Sequence, residues 1–296
     1  MNDKSVDPRV GILSETERKA RAEATGGEPV LDFDGARSPY IAYGQFDVLL
    51  SLQNPPSGTH HEMVLIVSGQ VMELLFKLVT HELREAQRQL RTEEIADAIL
   101  TLQRVMRIQE VLVKAWDVVG TLTPSQFAEF RDYLGPASGF QSPGYRRLEF
   151  LLGNRDRAMM GPHRGSAETH AELERALGEP SVYDEILLLL DRRGYSIARE
   201  HLERDLSLPY EAHASVEEAW LGVYEDARPG NELFLLGEAL IGVSDLYKQW
   251  RYRHLVTVER VIGYKPGTGG TSGVEWLRHV SQHEFFPELW TVRTRL

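Results

Sequence analysis

The chain has 296 residues, 42% of them hydrophobic, enough to bury a sizeable core in one domain or two. Forty-four acidic against 33 basic side chains leave a net charge of −11, which repels a phosphate backbone, so nucleic acid is not an expected partner. Cysteine is absent, which excludes disulfides, zinc ribbons, iron–sulfur clusters and thiolate-ligated haem, and leaves His, Asp, Glu or a cofactor to hold any metal.

Residues 1–37 are polar and without periodicity and are expected to form a flexible N-terminal arm. The opening stretch lacks the apolar core of a signal peptide. No run approaches the roughly 20 apolar residues of a membrane span. A cytoplasmic protein without membrane contact is therefore expected. From residue 38 to 296 the pattern is that of one helical domain. Thr59-His60-His61-Glu62 has the form of a capping box, and the apolar density from Met63 to Val79 predicts a buried helix to about Leu90. Ile95, Ala98, Ile99, Leu102, Val105, Met106, Leu112, Trp116 and Val119 recur every three or four residues, which predicts a long amphipathic helix. Thr123-Pro124-Ser125-Gln126 starts a short helix that Gly135 ends. Ser142-Pro143-Gly144 reads as turn chemistry before a helix at Leu148–Leu152, and 154–178 as a polar stretch. Ser181–Arg193 and Val216–Tyr224 read as helices after serine caps, with 194–213 as connecting segment. A long helix runs from Glu232 to Gly263, with Leu233, Leu236, Leu240, Val243, Trp250, His254, Val258 and Val261 on one face. No strand alternation and no solenoid repeat is found, so the fold class is all-α, a helical bundle.

His254 sits on the apolar stripe of the last long helix, with Trp250 and Val258 one turn to either side. It admits two readings: a core histidine bonded to a carbonyl, or a neutral imidazole ligating haem iron. Arg251, Arg253 and Arg260 beside it are either propionate partners or a solvated helix face. The loop Gly267-Thr268-Gly269-Gly270-Thr271-Ser272-Gly273 lets backbone approach a ligand closely, or is a linker. It lacks the Lys of a phosphate loop, Ser272 stands where a dinucleotide fingerprint needs Gly, and no strand precedes it. Arg131 suits a substrate carboxylate or a helix salt bridge. No histidine has Glu three residues before it, and no His-Glu-x-x-His motif occurs, which removes di-iron and zinc signatures. His60-His61-Glu62 is a capping element before it is a non-haem iron site.

In their order, these segments resemble the tryptophan 2,3-dioxygenase family over nearly the whole chain after the arm. The resemblance is carried by Tyr40-Ile-Ala-Tyr43 with Phe46-Asp47, by His61-Glu62-Met63 and Glu73-Leu74 running into Lys77-Leu78, and by Phe130-Arg131-Asp132 through Gly135 and Ser138-Gly139-Phe140 to Ser142. Tyr145-Arg146, Leu148-Glu149-Phe150, Trp250 through His254, Arg260 to Gly263, the glycine-rich loop and Phe286 to Trp290 complete it. The resemblance implies a helical haem b protein assembled as a homotetramer, in which an N-terminal segment of one subunit closes the active site of its neighbour. It implies His254 as proximal iron ligand, Arg131 as grip for the amino-acid carboxylate, and Thr268 as the loop hydroxyl at the substrate's amino-acid end. Ser138 and Gly139 match the distal wall near bound oxygen, and Tyr40 and Tyr43 match the segment lent by the neighbour.

Three positions depart from the family. Gly69 stands where the family has its distal histidine, Leu65 replaces a pocket phenylalanine, and Phe127 replaces a tyrosine. Lost bulk at Gly69 and Leu65 leaves room for extra substrate atoms or for water. The function expected is a haem-dependent oxygenase acting on the indole C2–C3 bond of L-tryptophan or a substituted tryptophan, with molecular oxygen or peroxide as oxidant. Insertion of two oxygen atoms gives an N-formylkynurenine, and insertion of one gives a 2-oxindole or hydroxylated product. The alternatives are hydroxylation of a phenolic amino acid such as tyrosine, and a non-catalytic haem or amino-acid sensor.

Overall fold

The computed structural model describes residues 12–33 and 37–296. Its contacts divide into two units, Met1–Asn54 and Pro55–Leu296. In the first, α1 (Glu15–Ala24) lies within the stretch read as a flexible arm. A reciprocal capping box starts it: the Ser14 hydroxyl accepts from Glu17 N, and Glu17 accepts from Ser14 N at 2.7 Å. Ser38 and Pro39 then begin α2 (Pro39–Gly44), and Gln45, in the left-handed region at φ 49°, turns the chain into α3 (Phe46–Leu49). None of these three helices has a buried residue. The rest of the expected arm, residues 1–11 and 34–36, falls outside the described residues.

The second unit is helical throughout, with no strand among the described residues. Its frame is α4 (Glu62–Arg91), α5 (Ile95–Val119) and, later in the chain, α12 (Glu232–Ile262). A short turn with Glu93 at φ 59° folds α5 back against α4, and α12 packs along α5. On α5 and α12 the apolar rows predicted from the 3.6-residue period supply the buried side chains, among them Ile95, Leu102, Val105 and Leu112, and Leu236, Leu240 and Val243. On α4 the expectation is corrected, because Met63, Val71, Leu74 and Leu78 of the expected run are exposed and the buried row is Phe76, Val79, Leu83 and Leu90. Each such side chain contributes about 1.5–3 kcal/mol by leaving water. Packing between α5 and α12 is close at Gly242, where a Cβ would collide with the Met106 sulfur.

One further local reading is corrected at α4. Glu62 does not form a capping box with Thr59, because its carboxylate reaches back to accept from the Ser57 backbone N–H (2.8 Å) and hydroxyl. The helix also meets the length and composition of a membrane crossing, although no unbroken apolar run suggests it; in this fold it packs on α5 and on the α7 and α9 helices described next. It leaves Met63, Val67, Val71, Leu74 and Leu78 exposed in a line at helical spacing.

Thr123 and Gln126 cap α6 (Pro124–Phe130) as predicted, and a 3₁₀ turn over Arg131–Leu134 ends at Gly135 (φ 54°). Ser142-Pro143-Gly144, read as a turn, is instead the N-cap and first turn of α7 (Pro143–Leu151), with the Ser142 hydroxyl accepting from Tyr145 N at 2.9 Å. The stretch 154–178, read as merely polar, holds α8 (Ala167–Gly178), whose Leu173 and Leu177 bury against Phe150 and Met160. A Ser181 box starts α9 (Val182–Arg192), and a single turn forms α10 (Arg199–Leu202). The cap of α11 (Ala214–Tyr224) is His213, not a serine: its Nδ1 accepts from Ser215 N. After α12, the helices α13 (Val274–Ser281) and α14 (Pro287–Thr291) were not anticipated.

Two buried polar clusters tie these parts together. Glu149 of α7 accepts from Arg251 Nη2 of α12 at 2.6 Å, from Arg146 and from Asn154 Nδ2 at 3.2 Å. Glu288 accepts from the Tyr183 and Tyr210 hydroxyls (2.9 and 2.6 Å) and from His213 N (2.9 Å), with His201 Nε2 3.1 Å from the Tyr210 hydroxyl.

Replacing Glu149 by Ala strands two buried guanidiniums and should cost about 3–5 kcal/mol in urea unfolding. Burial pushes the His201 imidazole down to about 4. Its unfolded value near 6.5 is higher, so the unfolded chain binds more protons and stability should fall as pH drops from about 6.5 to 4. Unfolding measured across that window should show a shallower slope for His201→Asn; an unchanged slope would contradict the assignment.

Candidate active site

Because α4 and α12 both lie along α5, a gap opens between them, and it is occupied by a cavity of about 970 Å³, large enough for a cofactor together with a small substrate. From α4 it is lined by Leu65, Gly69, Met72, Glu73 and Phe76, from α5 by Trp116 and Val119, and from α12 by Trp250, Arg251, His254, Val258 and Val261. Phe127 and Arg131, the 137–142 segment, the glycine-rich loop and Trp276, Leu277 and Val280 of α13 close it. All of these belong to the second unit. Tyr40 and Tyr43 belong to the first, where both are exposed.

His254 projects from α12 into this space with its ring stacked on Trp116, centroids 4.2 Å apart and planes 7° from parallel. Neither ring nitrogen has a hydrogen-bond partner among the described residues, and burial alone pushes the imidazole down to about 4. The carbonyl-bonded core histidine is therefore not what this fold builds. At neutral pH the ring is uncharged and keeps a nitrogen lone pair for a ligand. Next to it, the indole nitrogens of Trp116 and Trp250 are also buried without partners.

Arg131 follows α6 directly, and its Nη2 donates to the Pro266 carbonyl at 2.7 Å, while its Nε is buried without a partner. The glycine-rich loop is docked on the 137–140 segment. The Thr268 hydroxyl donates to the Ala137 carbonyl at 2.6 Å, and a Cβ on Gly269 would stand 2.6 Å from both Ser138 Cβ and Phe140 Cε1, so only glycine permits the approach. Ser138 and Gly139 are thus held in the cavity wall by that loop, with the Ser138 N–H donating to Gln141 Oε1 at 3.2 Å. Gly69 faces open space, with no atom within 4 Å of where its Cβ would be. Leu65 and Phe127 pack on the small cluster of Leu122, Phe130 and Val261 and line the same cavity.

Of the three arginines flanking His254, Arg251 is locked: besides Glu149 it donates to the His283 carbonyl at 2.9 Å and lies over the Tyr247 ring at 4.7 Å. Arg253 pairs with Asp117 at the surface, and Arg260 is exposed. The His60-His61-Glu62 alternative brings no third donor, and no metal-holding cluster of His, Asp and Glu occurs among the described residues. Sequence reading missed Arg146, Glu149 and Trp116. Their signals were a Glu inside the apolar run Leu148-Glu149-Phe150 and an indole on the buried stripe of α5.

The sequence profile of the tryptophan 2,3-dioxygenase family matches residues 25–296. The chain is similar to the tryptophan 2,3-dioxygenase of Polaromonas sp., 47% identical over 266 residues that cover 90% of each chain. It is 45% identical to that of Cupriavidus necator over 289 residues, 98% of each chain. Against that of Burkholderia pseudomallei it is 46% identical over 275 residues, 93% of this chain and 90% of the relative.

Gly69 of the cavity wall and Gly144 in the first turn of α7 should respond oppositely to alanine. Gly69→Ala gains helix propensity with nothing to meet and should stabilise by about 0.5–1 kcal/mol. Gly144→Ala places a Cβ 2.5 Å from Glu73 Oε2 and 3.3 Å from Phe76 Cβ and should destabilise by about 1–3 kcal/mol. Urea unfolding of the two variants checks both signs.

Proposed function

This chain belongs to the tryptophan 2,3-dioxygenase family, and from that premise we propose that it is a haem-dependent oxygenase acting at the indole C2–C3 bond of L-tryptophan or a substituted tryptophan. The observation that carries the reading is the neutral, unpartnered imidazole of His254 facing a largely apolar cavity of about 970 Å³. The residues fit a haem: a nitrogen donor on one long helix, aromatic and aliphatic walls for a macrocycle, and buried N–H groups without partners at Trp250 and Arg146 suited to carboxylates. Bound haem would be held through its iron by His254 and would supply the chemistry that activates dioxygen or peroxide.

The remaining work falls to the chain's own side chains. Arg131, with an unpaired Nε, offers charge-assisted donors to the amino-acid carboxylate, and Thr268 fixes the amino-acid end from the docked loop. Leu65, Phe127 and Val261 exclude water around the ring, and Ser138 and Gly139 form the wall nearest the oxidant. Gly69 takes the place of the family's distal histidine. The open space in front of it suits a methyl on the side chain or ring, and one methylene is worth only about 1–3 kcal/mol in discrimination, so plain tryptophan stays within reach. With both atoms of dioxygen inserted, the product is an N-formylkynurenine. With one inserted, the other leaves as water, from peroxide or at the expense of an external two-electron reductant.

Assembly as a homotetramer accords with two features of the surface. The first unit has no buried residue in its helices while Tyr40 and Tyr43 are exposed, and α4 carries the exposed apolar line from Met63 to Leu78.

Haem-supplemented protein should show a Soret band that His254→Ala abolishes. The ferrous enzyme should convert L-tryptophan or a methylated tryptophan to a product heavier by two oxygen atoms or by one, read by mass. A normal Soret band in His254→Ala, or no product from any indole amino acid, would sink the assignment.

A further inference from the structure

Three carboxylates line the cavity, those of Glu73, Glu149 and Asp156. Glu149 is occupied by two guanidiniums and the Asn154 amide, and Asp156 accepts from Ala158 N at 2.9 Å. Glu73 alone, among the described residues, faces the cavity with no donor to either oxygen. It stands one turn beyond Gly69 on α4, so the two share a face of the helix. Its Oε2 lies 2.5 Å from where a Cβ of Gly144 would be, an approach that the missing side chain of Gly144 alone permits. That position is in the first turn of α7, where the helix dipole favours a negative charge. A carboxylate so placed, beside a glycine that offers nothing, is the chemical complement of a substrate N–H.

We infer that Glu73 is the hydrogen-bond acceptor for the indole N–H, the group that Gly69 leaves unmet. The inference rests on the tryptophan reading of the site. The ring nitrogen is the one polar atom of the indole, and leaving it unpaired in an enclosed cavity would forfeit binding. The specificity that follows is for a ring bearing an N–H, whatever else the space at Gly69 accommodates.

The test is a titration of the haem-supplemented protein, followed by its Soret shift, with L-tryptophan and with its isostere in which sulfur replaces the ring N–H. The unaltered protein should favour tryptophan by about tenfold or more, as expected of a hydrogen bond to a charged group. Glu73→Ala should lose that preference by weakening tryptophan alone, and Glu73→Gln, whose amide oxygen still accepts, should keep part of it. Urea unfolding of both variants checks that the fold is retained. Equal weakening of both ligands, or of neither, overturns the role of Glu73 while leaving the tryptophan reading standing. If neither ligand shifts the spectrum of the unaltered protein, the tryptophan reading falls and the inference with it.

Discussion

The structure depends on α5 acting as a spacer. Both α4 and α12 bury their apolar rows along it, and side chains of normal volume hold helix axes about 8–10 Å apart. Two helices packed on a third need not meet each other along their whole length. Where Gly69 and Glu73 of α4 look toward Trp250 and His254 of α12, the frame leaves a cavity in place of a core. The candidate site residues of the second unit, His254, Arg131 and Thr268 among them, line that gap. The rest of the second unit either closes it or braces the helices that border it.

Bracing falls to a charge placed where charge is expensive. Glu149 is almost fully buried, and it is tolerable there only because Arg251, Arg146 and Asn154 saturate it. Arg251 precedes His254 by one turn on α12, while Glu149 and Arg146 are on α7, which packs on α4. The ion cluster therefore joins the two walls of the cavity through a third helix. It also explains why Arg251, next to the candidate ligand in sequence, is unavailable to a cofactor, whereas the unpartnered N–H groups of Trp250 and Arg146 remain.

On the α4 side the open position at Gly69 is followed one turn later by a carboxylate, Glu73. Gly69 presents empty space, and the nearest acceptor on the same face is Glu73, admitted against α7 by the absence of a side chain at Gly144. A pocket with an acceptor at Glu73 and open space at Gly69 has a polar contact to offer and still leaves room beside it. Across the cavity, Arg131 and the docked Thr268 loop are tied to each other's segments by the Arg131–Pro266 and Thr268–Ala137 hydrogen bonds.

Much of this was legible in the sequence because it is local. The 3.6-residue period marked α4, α5 and α12 close to their bounds, since burial of one face is written into the spacing of apolar residues. Thr123-Pro124-Ser125-Gln126 and the stop at Gly263 are chemistry of consecutive residues, and the order of motifs identified the family, with His254, Arg131 and Thr268 as candidates. What depends on residues far apart in the chain was not legible. Whether His254 was bonded to a carbonyl or free to bind a ligand was decided by Trp116 stacking on it from another helix. Whether Ser142-Pro143-Gly144 was a turn or a helix start, and whether Arg251 faced a ligand or a buried glutamate, was decided by α4 and α7 packing side by side. Sequence spacing specifies which face of an element is apolar; only the packed structure decides which polar atoms on that face find partners, and the atoms left without them mark the site.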